Sequence, residues 1–217
     1  MKPLLIINAS GRITRSITRH LTTRFADGWR SRQPGAEILI RDVGVNPPPP
    51  VDEAWIAAAF APAHSRNSIM QQSLATSEAL IDELVQSQAI VIGVPMYNFG
   101  MPAQLKAYFD QIIRVGRTFS FDPDSPEPYR PLLEPKPVVV IISAGDGSLH
   151  PGGSLAHHNF VEPHLHTLFW FLGFSQVHVV RVGYVEYQDD RFAQSITTAE
   201  ATVEDILDSW SLDLQLK

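Results

Sequence analysis

The run Val138-Val139-Val140-Ile141-Ile142-Ser143 constrains this chain more than any other segment. Its apolar residues stand in an unbroken row instead of alternating with polar ones. Both faces of such a strand have to be covered, which is the condition of a parallel strand inside a sheet flanked by helices. Four more runs act as strands: residues 4–7, closed by Asn8, then 36–42, 89–94 and 177–182. The stretches between them carry a helical period. Ile17, Leu21, Phe25 and Trp29 mark one face of a helix over 16–30, and Leu74, Leu80, Ile81, Leu84 and Val85 the buried side of another over 69–86. Helices are also expected over 53–60, 102–114, 160–172 and 198–210, a polyproline segment over 46–50, a surface hairpin over 118–131 and a Gly/His loop over 146–157. Strand and helix alternate along the whole chain. The pattern predicts an α/β fold with a five-stranded parallel sheet between two helical layers. With 217 residues, no internal repeat and no linker, a single domain over 1–217 is expected.

Composition narrows the function by exclusion. The net charge of −6 gives no reason to expect nucleic acid or an anionic membrane as partner. Cysteine is absent, so disulfides, thiolate metal sites and a cysteine nucleophile are excluded, and a reducing compartment fits. The beginning, Met1-Lys2-Pro3-Leu4-Leu5-Ile6-Ile7-Asn8, has an apolar run too short for a secretory signal, and no later run approaches membrane-spanning length. A cytoplasmic location is expected.

Chemistry in such a sheet belongs to the loops beyond the carboxyl ends of the strands. Three of these loops stand out. The first, Asn8-Ala9-Ser10-Gly11-Arg12-Ile13-Thr14-Arg15-Ser16-Ile17-Thr18, leads into a helix whose first turn exposes unpaired N–H groups, with hydroxyls at Ser10, Ser16 and Thr18 beside them. It has neither a GxGxxG nor a GK[ST], so a single phosphate suits it better than a dinucleotide or a nucleoside triphosphate. The bland alternative is a plain N-cap by Ser16. The second loop, Gly93-Val94-Pro95-Met96-Tyr97-Asn98-Phe99-Gly100-Met101-Pro102, is held by prolines and glycines and offers flat, soft side chains to a planar ring. We read it as half of a flavin site. The third, Ser143-Ala144-Gly145-Asp146-Gly147-Ser148, can present backbone N–H groups to the carbonyl edge of a ring, or can simply be a turn that needs glycine. Convergence of all three favours a ligand.

These residues resemble the FMN-dependent NADH-azoreductase and NADH:quinone oxidoreductase family. The likeness is most specific at Pro95-Met96-Tyr97-Asn98-Phe99, at Gln104-Leu105-Lys106-Ala107-Tyr108-Phe109-Asp110 and at Gly116-Arg117-Thr118-Phe119, and it extends over residues 4–204. It implies a flavodoxin-like three-layer α/β/α sandwich. It also implies FMN as cofactor, NADH or NADPH as electron donor, and quinones or azo compounds as acceptors, reduced two electrons at a time in ping-pong fashion. By the same resemblance Ser10, Ser16, Ile17 and Thr18 would hold the phosphate, Met96, Tyr97, Asn98 and Phe99 would run along the isoalloxazine, and Ser143, Ala144, Gly145 and Asp146 would bracket its pyrimidine edge. Asp146 departs from the Gly-Gly found in many members, and a carboxylate there would lower the flavin's reduction potential. No side chain need act as acid or base, so no catalytic residue is assigned, and Asn98 is the nearest candidate. A homodimer is implied, with Phe169, Trp170, Phe171 and Phe174 divided between core and interface.

Other assignments stay open at this point. A non-enzymatic FMN electron carrier and a fold that has lost its flavin are the alternatives to an enzyme. Arg12, Arg66 and Arg117 are equal candidates for a donor 2′-phosphate. His150, His157, His158, His164 and His166 lack the i, i+4 spacing of a helical metal pair, so no metal is expected. Asp189, Asp190 and the acidic residues of the last helix read as a solvated face.

Overall fold

The structure, a computed structural model, describes residues 2–215. Five strands form one parallel sheet: β1 (Leu4–Asn8), β2 (Ile38–Asp42), β3 (Ala89–Pro95), β6 (Val138–Ser143) and β7 (Val177–Val182). Their order is β2-β1-β3-β6-β7. The expected sheet is therefore present, with β2 two residues shorter than expected at its start. Registers run straight across it: Leu5 lies opposite Leu39 on one side and Ile90 on the other, and Val140 opposite Ile92 and Val179.

Successive side chains of a strand point to opposite faces, so each central strand feeds two cores. Leu5, Ile7, Ile90, Ile92 and Val140 pack with α3 (Ser68–Gln86), α4 (Ala103–Ile112) and α5 (Val161–Leu172). Leu4, Ile6, Val91, Val139 and Ile141 pack with α1 (Ile17–Arg32) and α6 (Asp190–Gln215). Phe25, Trp29 and Trp210 close that second core, with Trp210 edge-on to both other rings at 5.5 and 6.1 Å. The result is three layers, as the unbroken apolar strands require.

Two elements depart from expectation. α6 begins at Asp190 rather than at residue 198. Asp189 starts it: its carbonyl accepts from Ala193 N and its carboxylate from Arg191 N. Phe192 and Ile196 lie against the second core, too sparse a signal to carry a period by themselves. The 146–157 loop contains two short 3-10 turns, at Gly147–Leu149 and Ala156–His158. The 118–131 insertion is a hairpin of β4 (Phe119–Phe121) and β5 (Tyr129–Pro131).

The polyproline segment is anchored. The Gln111 side-chain amide donates to Pro49 O at 2.9 Å and accepts from Trp55 Nε1 at 2.9 Å, so α2 (Glu53–Phe60) is tied to α4. Among the described residues no helix is long and apolar enough to cross a membrane.

Candidate functional site

The chain runs outward from β1 to β2 and then returns to β3 on the other side of β1. Loops leaving β1 and β3 diverge at such a reversal, and a crevice opens between them at the carboxyl end of the sheet. A cleft of about 350 Å³ lies there, lined by Ser10, Arg12, Arg15, Ser16, Ile17, Pro95, Met96, Tyr97, Ser143, Ala144, Gly145, Val185 and Glu186. Three separate loops that the sequence nominated meet in it. The loop after β7 supplies the last two residues.

At one end stands the start of α1. Ser16 is its N-cap, with its hydroxyl accepting from Arg19 N at 3.4 Å and 3.4 Å from the Thr18 hydroxyl. Ile17 and Thr18 occupy the first turn, where N–H groups have no acceptor within the helix. The preceding loop is braced from below by Arg19. Its guanidinium donates to the carbonyls of Arg12 at 2.8 Å and Ser10 at 2.6 Å, and to both oxygens of Asp42 at 2.5 and 2.7 Å. Arg19 hydrogen bonding holds the Asp42 carboxyl below the ordinary carboxylate range, against the opposing effect of burial. Two loop carbonyls thus turn inward toward a cation. The sequence reading missed this brace, because an arginine inside a helix and an aspartate at the end of a distant strand carry no local signal of each other.

The middle of the cleft is the β3 loop. Tyr97 and Gly100 exchange backbone hydrogen bonds at 2.9 and 3.0 Å around Asn98 and Phe99, which have φ of 48° and 70°. Positive φ at both central positions defines a mirror-type tight turn. Asn accepts this conformation readily, whereas a bulky Phe is strained in it. The turn is fastened at both sides. Phe160 N donates to Phe99 O at 3.0 Å, and the Tyr97 hydroxyl accepts from Gly11 N at 3.3 Å. The second bond joins the β3 loop to the β1 loop across the crevice.

At the far end, Ser143, Ala144 and Gly145 leave β6 beside the loop that follows β7. Val185 N donates to Ala144 O and Glu186 N to Gly145 O, at 3.3 and 3.2 Å. A Cβ on Gly145 would stand 2.7 Å from the Glu186 carboxyl carbon, so a side chain here would require the Glu186 carboxylate to swing away. The β7 loop, Gly183-Tyr184-Val185-Glu186-Tyr187-Gln188, was not nominated from sequence, although it too leaves the carboxyl end of a strand and carries glycine and two tyrosines. Arg191 stacks over the Tyr184 and Tyr187 rings at 4.8 and 4.3 Å and stiffens it.

Of the nominated residues, Ser10, Ser16, Ile17, Met96, Tyr97, Ser143, Ala144 and Gly145 line the cleft. Thr18 is buried behind Ser16, and Asn98 and Phe99 form the exposed tip of the turn. Asp146 does not line the cleft. Its carboxylate accepts from Ser148 N at 2.8 Å and from the Tyr187 hydroxyl at 3.1 Å. These bonds, the Ser148 backbone first, hold its pKa below the ordinary value. Glu186 is the carboxylate that the cleft does contain.

The histidines separate. The His157 and His158 rings meet at a tilt of 44° with centroids 3.9 Å apart, and His158 lies near Phe99. His150 is mostly buried, its Nδ1 3.9 Å from Glu162. Among the described residues no group of three or more His, Cys, Asp or Glu is placed to hold a metal.

The strand order and the loop-lined crevice define a flavodoxin-like α/β protein. The comparisons agree: a family described as "Flavodoxin-like fold" matches residues 2–207, and the chain belongs to that family. Similar proteins carry one recurrent name. The "FMN-dependent NADH:quinone oxidoreductase" of Opitutus terrae is 49% identical over 207 residues, which are 95% of this chain and 97% of that protein. A protein of Trichormus variabilis, "FMN-dependent NADH:quinone oxidoreductase 2", is 37% identical over 97% of this chain and all of its own length. Among solved structures, an FMN-dependent NADH-azoreductase of Bacillus anthracis in complex with FMN superposes with a TM-score of 0.85. It covers 97% of this chain and 100% of its own at 20% identity, a likeness of fold.

Proposed function

We propose that the cleft holds FMN and that the protein is an oxidoreductase passing electron pairs from NADH or NADPH to quinones. Azo compounds are further acceptors, and donor and acceptor use the same open face in turn. The observation that carries this reading is the convergence of three carboxyl-edge loops on one cleft. It has hydroxyl and free N–H donors at one end, Met96 and Tyr97 in the middle, and Ser143, Ala144 and Gly145 at the other end. The relatives named for this activity align with 95% and 97% of the chain.

The residues fit such a ligand. Ser10, Ser16 and the first-turn N–H groups of Ile17 and Thr18 would hold the phosphate. Met96 and Tyr97 would lie along the ring. The backbone at Ala144 and Gly145 would meet its pyrimidine edge, where Gly145 leaves no Cβ in the way. When bound, FMN supplies reversible two-electron chemistry. The protein orients the reacting rings and excludes water. Asn98 and Phe99 stand at the mouth, where they would contact the incoming donor or acceptor. The residues named suffice without an acid or base.

A second copy of the chain would complete the assembly. Trp170 and Phe160 are 73% and 60% exposed on the α5 side, and Phe121 and Tyr129 of the hairpin are exposed nearby. Phe169 and Phe174 are buried, and Phe171 packs on Phe119 at 4.9 Å, so this face splits between core and surface. The absence of cysteine fits a cytoplasmic location.

The test is the visible spectrum of the purified protein after incubation with FMN, before and after anaerobic NADH. A flavin spectrum that bleaches with NADH and returns with a quinone is expected. Ser16→Asp should remove the flavin, because a carboxylate would face the phosphate. Wild-type protein that takes up no FMN would end this reading, and unchanged flavin content in Ser16→Asp would move the phosphate elsewhere.

A further inference from the structure

We propose that Arg12 and Arg15 form an anion subsite, set beside the cleft, that takes the phosphates of the nicotinamide donor. The proposal rests on reading the cleft as a flavin site and adds what that reading leaves open, the binding of the second ligand.

The observation is an asymmetry among the arginines. Arg19 pairs with Asp42, Arg24 with Glu200 and Glu204, Arg32 with Glu204 and Asp208, and Arg41 with Glu83. Arg30, Arg114, Arg117, Arg181 and Arg191 likewise have acidic partners. Arg66 donates to the carbonyls of Ala58 and Ala59, and Arg130 to the Ser125 hydroxyl. Only the guanidiniums of Arg12 and Arg15 have no hydrogen-bond or ion-pair partner among the described residues. Both lie on the one loop that leads to the candidate phosphate end. Both are exposed, three positions apart, and open to an anion from solvent.

Their setting is shaped. A groove of about 770 Å³ runs along the outer side of the loop and is lined by Arg12, Ile13, Thr14, Arg15, Ile17, Val185, Gln188 and Phe192. It shares Arg12, Arg15, Ile17 and Val185 with the cleft, so the two are continuous. It does not include Ser10 or Ser16. An anion in the groove would therefore meet the arginines without competing for the hydroxyls. Arg15 holds a φ of 57°, an unfavourable conformation for an L side chain, directly before the N-cap Ser16. Strain kept at the mouth of a cleft points to a function for the side chain it positions.

The chemistry matches a dinucleotide. Such a donor carries a planar reacting ring at one end and a pyrophosphate between two sugars. With the ring in the cleft, the charged link has to leave along an open continuation, and the groove is that continuation. Ile13, Ile17 and Phe192 give it apolar contact surface for the distal nucleoside. Of the three arginines open from sequence for a donor phosphate, Arg66 and Arg117 are committed elsewhere. Arg12 alone faces the cleft.

The experiment uses the FMN-loaded full-length protein and the variants Arg12→Gln, Arg15→Gln, the double variant and the double Arg→Lys variant. ADP-ribose, which has the pyrophosphate and no redox ring, is titrated calorimetrically. KM and kcat are measured with NADH and with NADPH, and flavin content by absorbance. Charge-assisted bonds to phosphate predict that the double Gln variant binds ADP-ribose about tenfold or more weaker. KM for the donor should rise in step, with kcat and flavin content kept and Lys restoring part of the loss. An equal rise for both donors assigns the pyrophosphate, and a rise confined to NADPH assigns the 2′-phosphate; either supports the subsite. ADP-ribose affinity and donor KM within twofold of wild type would overturn it. So would loss of FMN with donor KM unchanged, which would give the arginines to the cofactor's phosphate. Wild-type protein that fails to load FMN would instead defeat the reading of the cleft.

Discussion

Gly44 shows how tightly the phosphate-side loop is held at the level of single atoms. It follows β2, and its N–H donates to Asn8 O at 3.0 Å. A Cβ there would lie 2.1 Å from the Ser10 carbonyl oxygen and 2.6 Å from its carbon. Both are backbone atoms and neither can swing aside. Gly44→Ala must therefore push Ser10 and its neighbours off the Arg19–Asp42 brace. The expected cost is about 1–3 kcal/mol by urea unfolding, the usual range for overpacking, with a faster loss of FMN on dilution. Gly35→Ala is the control: its φ of +87° makes alanine strained, but nothing lies within 4 Å, so stability should fall while flavin retention stays. Equal flavin retention in wild type and Gly44→Ala would show that the loop need not keep this position. At this scale the sequence disclosed residue types better than directions. That Ser10 and Ser16 stand at one end of the cleft was legible because both precede a helix that starts beyond the carboxyl end of a strand. Asp146 was not, since which way a turn carboxylate points depends on Ser148 and on Tyr187, which is distant in sequence.

Between elements, the junction of α5 with β7 carries the clearest pH dependence. Glu162 sits in the first turn of α5, 5% exposed, and receives two nitrogens of Arg181 at 2.6–3.1 Å and the Asn159 amide at 3.0 Å. Burial alone would push its carboxyl up. The nearby His150, the Arg181 guanidinium and the Asn159 amide outweigh burial and bring it down to about 2 from an ordinary 4.5. A depressed carboxylate stabilises the fold above its ordinary pKa, and the stabilisation is lost as the pH falls toward the folded value. The loss should therefore run between about pH 4.5 and pH 2, and reach at most about 3 kcal/mol. Urea unfolding at pH 7, 5 and 3 should show Glu162→Gln well below wild type at pH 7 and 5 and closer to it at pH 3. A gap that does not narrow on acidification would remove Glu162 as the source. The elements themselves were mostly legible. Apolar strands buried on both faces and helices with a strong period need no distant partner to be recognised. The start of α6 was missed because Phe192 and Ile196 are its only large apolar residues before Val203, and the cap that begins it is a backbone event at Asp189.

For the whole molecule, the legible part was the architecture and the edge of the sheet where chemistry would gather; the illegible part was how loops far apart in sequence close on one another. Nothing local to Tyr97 announces Gly11, and nothing local to Gly145 announces Glu186, yet these contacts give the cleft its walls. The same limit holds at the outer surface, where one residue argues for an assembly larger than the chain. Trp170 is 73% exposed on α5, while its neighbours Phe169 and Leu172 are buried, so the helix is turned correctly and the tryptophan faces outward by register. Tyr129 of the hairpin, exposed as Phe121 is, shares the Phe171 ring with Trp170, at 5.7 and 6.4 Å, so the apolar surface continues onto the hairpin. Apolar surface of this kind, large and aromatic, marks an interface more often than a free face. A charge at its centre would have to be desolvated on association and would find no partner. If two copies pair through this face, as proposed, Trp170→Glu should shift the mass seen by light scattering from dimer to monomer. It should leave the unfolding free energy of the monomer within about 0.5 kcal/mol, as for surface changes that break no contact. Flavin content and turnover measured on the same sample then separate two roles for the second copy. Loss of turnover with flavin kept would mean that the partner shapes the substrate side, and loss of flavin itself would mean that it closes the cleft. A Trp170→Glu protein of unchanged mass would show that this face does not hold the copies together.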